Sequence, residues 1–248
     1  MSKDKAVAPR KAGSISAILF DKDGTLIDFN STWRAAFEEV ALALSGGDAD
    51  LARRLLVVGG WDEIDQRFLA GSLCAAASTR EIAEAWAELL PARADPGRIT
   101  DYMDRRFALA GGQDVKAVTP LPQVFGTLKA RGIMLGIATS DSERSARNCM
   151  RSLDALALLD FVAGYDSGHG RKPEPGMVFA FCSALGLEPA KVAVVGDNGH
   201  DMEMGRQAGV GLLVGVLSGT GLAADLEGEA HYLLPDISHL PALLQQLD

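Results

Sequence analysis

The stretch Ile15-Ser-Ala-Ile-Leu-Phe-Asp21-Lys-Asp23-Gly-Thr-Leu26 decides how the rest of the chain is interpreted. Its first six residues form a short apolar run, which predicts a buried strand, and the following Asp-Gly pair predicts a turn. Side chains two residues apart in an extended chain project the same way, so Asp21 and Asp23 are expected to share one site. Two close carboxylates repel each other unless a cation or a proton intervenes, which favours a hard metal such as Mg²⁺. The alternative is a simple polar turn, but strand plus Asp-x-Asp-Gly-Thr-Leu is a more specific pattern than a turn.

A helical pattern follows, from Ser31 to about Gly111. Apolar residues recur at spacings of three and four, and Pro91 and several glycine pairs separate the segments. The pattern predicts an all-α insert without strands, with helices over Thr32–Leu44, Trp61–Leu69, Thr79–Leu90 and Pro96–Leu109.

After Val115 the chain alternates strands with helices. Buried strands are predicted over Ile133–Ala138, Val192–Val195 and Leu212–Leu217, and helices over Leu121–Ala130, Ser142–Leu153, Pro175–Leu185 and Asp201–Ala208. Ser140 and Glu143 have the spacing of a capping box at the start of the second of these helices. Repeated strand-helix units predict an α/β fold with a doubly wound, mainly parallel sheet and helices on both faces. Ligands of such sheets bind beyond the carboxyl ends of the strands.

Polar residues follow the predicted strands at that edge. Thr139 and Ser140 offer hydroxyls at a helix start, which suits an anion but is also common in helix caps. Lys172, held out of a helix by the following proline, is either a cleft residue or a surface lysine. Asp197 and Asp201 end a buried strand and begin a helix, so they either hold a cation or form a turn with Asp201 as a helix cap.

Taken together, these motifs resemble those of the haloacid dehalogenase-like hydrolase superfamily, in particular its phosphoglycolate phosphatase-like branch. The family's four motifs occur here in the family's order: Asp21-x-Asp23-Gly-Thr, Thr139, Lys172-Pro, and Gly196-Asp197-x-x-x-Asp201. The resemblance runs from about Ile15 to the C-terminus. The resemblance implies a Rossmann-like core over residues 14–30 and 115–248. It also implies an α-helical cap domain over residues 31–114, inserted between the two core segments. Residues 1–13 are expected to form an N-terminal tail before the core.

The resemblance also implies roles for individual residues. Asp21 would attack phosphorus to form an aspartyl-phosphate, and Asp23 would act as general acid and then general base. Thr139 would bind a phosphoryl oxygen, and Lys172 would offset the charge of the phosphate and of Asp21. Mg²⁺ would be held by Asp21, the Asp23 carbonyl and Asp197, with Asp201 either a ligand through water or an orienting partner. Contacts with substrate are expected from Gly24, Thr25, Ser140 and Trp33.

The predicted activity is Mg²⁺-dependent hydrolysis of a small phosphorylated metabolite, phosphoglycolate-like or a sugar phosphate. A sugar phosphomutase of the same fold, and a catalytically idle phosphate-binding protein, are the alternatives. Trp33 directly follows the catalytic loop, so it either borders the substrate or packs in the first cap helix. Of the neighbouring Arg105 and Arg106, at most one would face a substrate carboxylate, because adjacent helical residues point apart.

Composition limits the partners. The 248 residues include 24 basic and 33 acidic side chains, a formal charge of -9, which argues against nucleic acid and anionic membranes. We expect neither a membrane span nor a secretory signal, because the apolar runs are too short. Three widely spaced cysteines favour neither a zinc site nor disulfides, and a reducing cytoplasm fits them. The sequence does not indicate the oligomeric state.

Overall fold

A computed structural model describes residues 15–91 and 94–248. The predicted N-terminal tail of residues 1–13 lies outside the described part. The strands are β1 (Ala17–Phe20), β2 (Trp61–Asp62), β3 (Arg67–Phe68), β4 (Met134–Ala138), β5 (Phe161–Ala163), β6 (Val192–Gly196), β7 (Leu212–Val216) and β8 (Tyr232–Leu234). The α-helices are α1 (Phe29–Leu44), α2 (Ala49–Val58), α3 (Leu73–Ala76), α4 (Thr79–Ala87), α5 (Pro96–Ala110), α6 (Leu121–Ala130), α7 (Glu143–Ser152), α8 (Gly176–Leu185), α9 (Gly199–Ala208), α10 (Ala223–Leu226) and α11 (Leu240–Leu247).

Six strands form the main sheet in the order β5-β4-β1-β6-β7-β8, and each neighbouring pair is parallel. The residues of β1 and β6 are buried on both faces, as expected for central strands of a parallel sheet that is covered by helices. The predicted α/β fold is therefore confirmed. The short strands β5 and β8, which flank the predicted ones, were not part of the prediction.

Two apolar clusters cover the faces of this sheet. The larger one is continuous from the sheet residues Ile18 and Phe20 into the helical segment that precedes β4. The smaller one lies on the other face and includes Leu19 and Phe181. Alternate residues of β1 thus enter different clusters, as the twofold repeat of a strand requires.

The prediction of a helix over Trp61–Leu69 is wrong. These residues form the antiparallel pair β2 and β3, in which Trp61 lies opposite Phe68. The side chain of Asp62 accepts hydrogen bonds from the backbone N–H groups two and three residues later, at 2.8 and 3.1 Å, and this local turn competes with a helix. Ile64, whose spacing suggested an apolar helix face, is 92% exposed at the tip of the hairpin.

The predicted capping box at the start of α7 is also wrong in its first member. Ser142 precedes the helix, and its hydroxyl accepts from the N–H of Ser145 at 3.3 Å. Ser140 lies in the preceding loop, where the Thr139 hydroxyl accepts a 3.1 Å bond from the N–H of Asp141. This turn after β4 delays the start of the helix by two residues.

The helical segment between β1 and β4 is attached to the rest of the chain through α5 and α7. Asn148 donates a 2.7 Å hydrogen bond to the carbonyl of Ala108, and the Tyr165 hydroxyl donates to Asp104 at 2.6 Å. A Cβ on Gly111 would come within 2.8 Å of the Cys149 sulfur, so the two helices approach too closely there for a larger residue. Among the described residues, every helix is too short or too polar to span a lipid bilayer.

Candidate active site

Three carboxylates meet beyond the carboxyl ends of the central strands. Asp21 follows β1, Asp197 follows β6, and Asp201 lies in the first turn of α9. Each offers an oxygen, and these oxygens lie within 4.8 Å of one another. Because β1 and β6 are hydrogen-bonded neighbours, their ends bring residues that are far apart in sequence to one point.

Burial makes this cluster electrostatically costly. It raises the pKa of Asp21 to about 7, against the attraction of Lys172. Burial, and then the charges of Asp21 and Asp201, also raise the pKa of Asp197 well above its ordinary value. The site therefore favours a partner that carries positive charge.

Lys172 supplies one such charge. Its ammonium is buried, donates a hydrogen bond to Asp21 and donates a second one to Asp201 at 2.7 Å. Burial lowers the pKa of Lys172, but the charges of Asp201 and Asp21 outweigh that effect and raise it. The sequence left open whether Lys172 is a surface residue, and the structure places it inside the cluster. One ammonium against three carboxylates still leaves an excess of negative charge.

Asp201 also caps its own helix. Its second carboxylate oxygen accepts from the N–H of Asn198 at 3.1 Å, which confirms the predicted capping contact. This bond fixes the carboxylate while its other oxygen contacts Lys172.

The loop after β7 holds Asp197, a contact that was not predicted. The N–H groups of Thr220 and Gly221 donate to one oxygen of Asp197 at 3.0 and 3.4 Å. A Cβ on Gly219 would lie 1.9 Å from that oxygen. The Gly-Thr-Gly stretch had a detectable signal, since it directly follows a strand, but its spacing also fits a dinucleotide fingerprint.

Gly24 and Thr25, in the loop after β1, also contact Asp197. The Thr25 hydroxyl donates to it at 3.4 Å. Gly24 has a φ of +84°, and a Cβ there would lie 2.5 Å from an Asp197 oxygen. Both were predicted to contact substrate, but neither is among the described residues that line the cavity over the site.

Asp23 is held by two partners that the Asp-x-Asp spacing did not reveal. The indole N–H of Trp33, in α1, donates to one oxygen of its carboxylate. The ammonium of Lys22 lies 2.6 Å from the other oxygen, 3.0 Å from Asp141 and 4.6 Å from the centre of the Trp33 ring. Lys22 is completely buried, although a lysine between two loop aspartates predicts a solvated side chain.

A cavity of about 60 Å³ lies over these groups. Its floor contains the predicted catalytic and metal-binding side chains, and Trp33, Ser140 and His200 also line it. Burial lowers the pKa of His200, so its imidazole is neutral at pH 7. Arg105 and Arg106 are not among the described lining residues, and Arg106 instead pairs with Glu39.

The family model of haloacid dehalogenase-like hydrolases matches residues 15–209. The chain belongs to this family. The match includes each of the motifs from Asp21 to Asp201, so it covers the whole carboxylate cluster.

Relatives with assigned names agree. The phosphoglycolate phosphatase of Salmonella paratyphi A is 27% identical over 219 residues, which cover 86% of this chain and 87% of the relative. CbbY from Rhodobacter sphaeroides, solved in complex with phosphate, has a TM-score of 0.70 at 22% identity and covers 91% of this chain and 96% of its own. A structure described as a putative β-phosphoglucomutase from Thermotoga maritima has a TM-score of 0.66 at 24% identity, with 94% and 99% coverage.

These matches confirm the resemblance drawn from the motifs, including the phosphoglycolate phosphatase-like branch. They also bear out the predicted class of enzyme, a phosphoric monoester hydrolase. At their level of identity the two solved structures are evidence for the fold alone.

Proposed function

We propose that this hydrolase cleaves the phosphate monoester of a small metabolite with the help of Mg²⁺, through an aspartyl-phosphate on Asp21. The observation that carries the proposal is the buried cluster of Asp21, Asp197 and Asp201, with oxygens within 4.8 Å of one another and Lys172 bonded to two of them. The family match and the phosphoglycolate phosphatase relatives support the same reaction.

The residues present fit a magnesium ion. Three buried carboxylates share one ammonium, so a divalent cation would offset the burial, and then the mutual repulsion, that raise the pKa of Asp21 and Asp197. Carboxylate oxygens are the ligands that Mg²⁺ prefers. Asp21, Asp197, Asp201 and the carbonyl of Asp23 would hold the ion. When bound, it would offset the negative charge of phosphate and carboxylates and polarise the phosphoryl group.

The side chains of the chain itself would carry the chemical steps. The Asp21 carboxylate would attack phosphorus while the bond to the leaving oxygen breaks, and water would later release phosphate from Asp21. Lys172 would favour the ionised form of Asp21 and orient it through their hydrogen bond, and Thr139 would donate to a phosphoryl oxygen. Asp23 would protonate the departing oxygen and then take a proton from the attacking water. Its contacts with Trp33 and Lys22 hold that carboxylate at the cavity.

The segment of residues 31–114 would serve as the cap that closes over the site. Trp33 and Phe107, which belong to that segment, line the same cavity as Asp21 and Lys172. A closed cap would exclude water that competes for the substrate and would select the leaving group.

The proposal is tested with p-nitrophenyl phosphate. Wild-type protein should release p-nitrophenol with Mg²⁺, and EDTA or the Asp21→Asn substitution should abolish the release. Asp225→Asn removes the same charge from the exposed face of α10 and should leave the rate unchanged. Trapping of ³²P from substrate on the wild-type chain, but not on Asp21→Asn, would identify the nucleophile. Full activity of Asp21→Asn would show that the assignment is wrong.

A further inference from the structure

The cavity over the carboxylates has a polar floor and an apolar roof. The roof is built from the helical segment before β4, and its large side chains are Phe29, Trp33, Phe37, Ile82 and Phe107, together with the Cys74 thiol. Three alanines, Ala75–Ala77, also line the roof, at the end of the short helix α3 and directly after it. Burial raises the pKa of Cys74 well above its ordinary value, so this thiol is neutral.

The roof also lacks positive charge. Among the described residues that line the cavity, Lys172 is the lone permanently cationic side chain, and it is bonded to Asp21 and Asp201 on the floor. Among these lining residues, Thr79 adds a hydroxyl to the roof, and its side chain is buried. The N-terminus of α4 is occupied by the reciprocal cap of Ser78 and Glu81, and the Glu81 carboxylate opposes a second anion there.

These properties decide which leaving group the cavity accommodates. A carboxylate under the roof would lose its hydration and find no cation, and a sugar would leave several hydroxyls without partners. An alkyl or aromatic group would bind favourably there, because its apolar surface would be removed from water. Building on the proposed phosphatase function, we infer that the substrate is the phosphate monoester of a small, uncharged, apolar alcohol, alkyl or aromatic, and neither phosphoglycolate nor a sugar phosphate.

The test compares esters of primary alcohols, so that the chemical reactivity of the leaving groups is similar. With Mg²⁺, kcat/KM for benzyl phosphate and butyl phosphate should exceed that for phosphoglycolate and glucose 6-phosphate. The expected ratio is about 10–100-fold, the benefit of burying one apolar side group. Calorimetric titration gives a readout independent of turnover: benzylphosphonate should bind more tightly than phosphonoacetate by a similar factor.

A charge placed in the roof should invert the preference. Ala76 is half-buried and lines the cavity, so Ala76→Lys offers a cation to a substrate carboxylate. The ratio of kcat/KM for benzyl phosphate to that for phosphoglycolate should fall at least tenfold. Ala43→Lys adds the same charge on the exposed side of α1 and should leave the ratio unchanged.

The outcomes separate this inference from the proposed function. If wild-type protein hydrolyses p-nitrophenyl phosphate but handles phosphoglycolate or glucose 6-phosphate as well as benzyl phosphate, the inference is wrong and the phosphatase assignment stands. If none of the esters is hydrolysed, both are wrong. The wild-type panel decides the question even if Ala76→Lys fails to fold.

Discussion

Replacing Lys22 with methionine removes the ammonium that lies between the loops after β1 and β4. Lys22 is completely buried, and its ion-pair partners Asp23 and Asp141 are 17% and 10% exposed. Burial lowers the pKa of Lys22, but the charges of Asp141 and Asp23 outweigh this effect and raise the pKa overall. The ammonium is therefore charged at every pH at which the protein is studied. Methionine has a similar length and fills the same space without charge.

The expected loss is large because one partner of a buried ion pair is removed while the other stays. Breaking such a pair costs about 3–5 kcal/mol of unfolding free energy. For a chain of this length that corresponds to a fall in Tm of about 6–20 °C. Part of the loss reflects Asp141, which would remain buried without a cation.

The pH dependence of the loss gives a second criterion. Burial raises the pKa of Asp141 even with Lys22 present, and removing Lys22 raises it further. A carboxyl whose pKa is raised by folding does not reduce the free energy of unfolding at a pH where it is protonated in both the folded and the unfolded state. Its destabilising effect grows as pH rises from the unfolded pKa toward the folded pKa. The loss from Lys22→Met should therefore be larger at pH 8 than at pH 5.

Urea unfolding followed by tryptophan fluorescence measures these differences. Lys116→Met makes the same change on an exposed side chain and should alter stability by less than about 0.5 kcal/mol. The double variant Lys22→Met/Asp141→Asn removes the unpaired charge and should recover stability relative to the single variant. A loss below about 1 kcal/mol at pH 8, or a double variant no more stable than the single one, would refute the reasoning.

Three further predictions concern the site. Trp33→Phe removes the hydrogen bond to Asp23 but keeps the ring, so steady-state kinetics should show kcat lowered about tenfold with little change in KM; an unchanged kcat would contradict a positioning role. Gly219→Ala puts a methyl group against Asp197, so calorimetry should show at least tenfold weaker Mg²⁺ binding, and wild-type affinity would contradict this contact. Because burial raises the pKa of Asp21 to about 7, metal-free protein should lose thermal stability as pH rises from about 4 to 7, with Mg²⁺ restoring it; a rise over that range would contradict the cluster's electrostatics.

The regular elements of the sheet could be predicted because their signals are local. Apolar runs such as Ile133–Ala138 predict buried parallel strands when helical segments alternate with them, whereas the shorter strands β5 and β8 gave too weak a signal. The helix predicted over Trp61–Leu69 failed for a local reason as well. The side chain of Asp62 stabilises a turn, which the spacing of apolar residues cannot predict. That spacing also assigned Ile64 to a buried helix face, whereas Ile64 is exposed.

The candidate site divides in the same way. The spacing of Asp21 and Asp23, the strand end at Asp197 and the loop-to-helix junction at Lys172-Pro are properties of the sequence. They predicted that these residues lie at one edge of the sheet. The partners of Asp23 could not be predicted, because Trp33 and Lys22 reach it only after α1 packs against the loop. The Gly219–Gly221 stretch fits a dinucleotide fingerprint, which its position late in the chain argues against, but its contact with Asp197 is visible only in the structure.

By itself, then, the sequence determined the parallel sheet, the order of its acidic and basic strand ends and the family to which the chain belongs. These follow from hydrophobic periodicity and short-range spacing, which are present before the chain folds. The tertiary structure alone decided what surrounds the strand ends: the buried Lys22, the hydrogen bond from Trp33 and the apolar roof of the cavity. Burial and long-range contact set the charge and the chemical preference of the site, and both depend on segments that meet only in the folded chain.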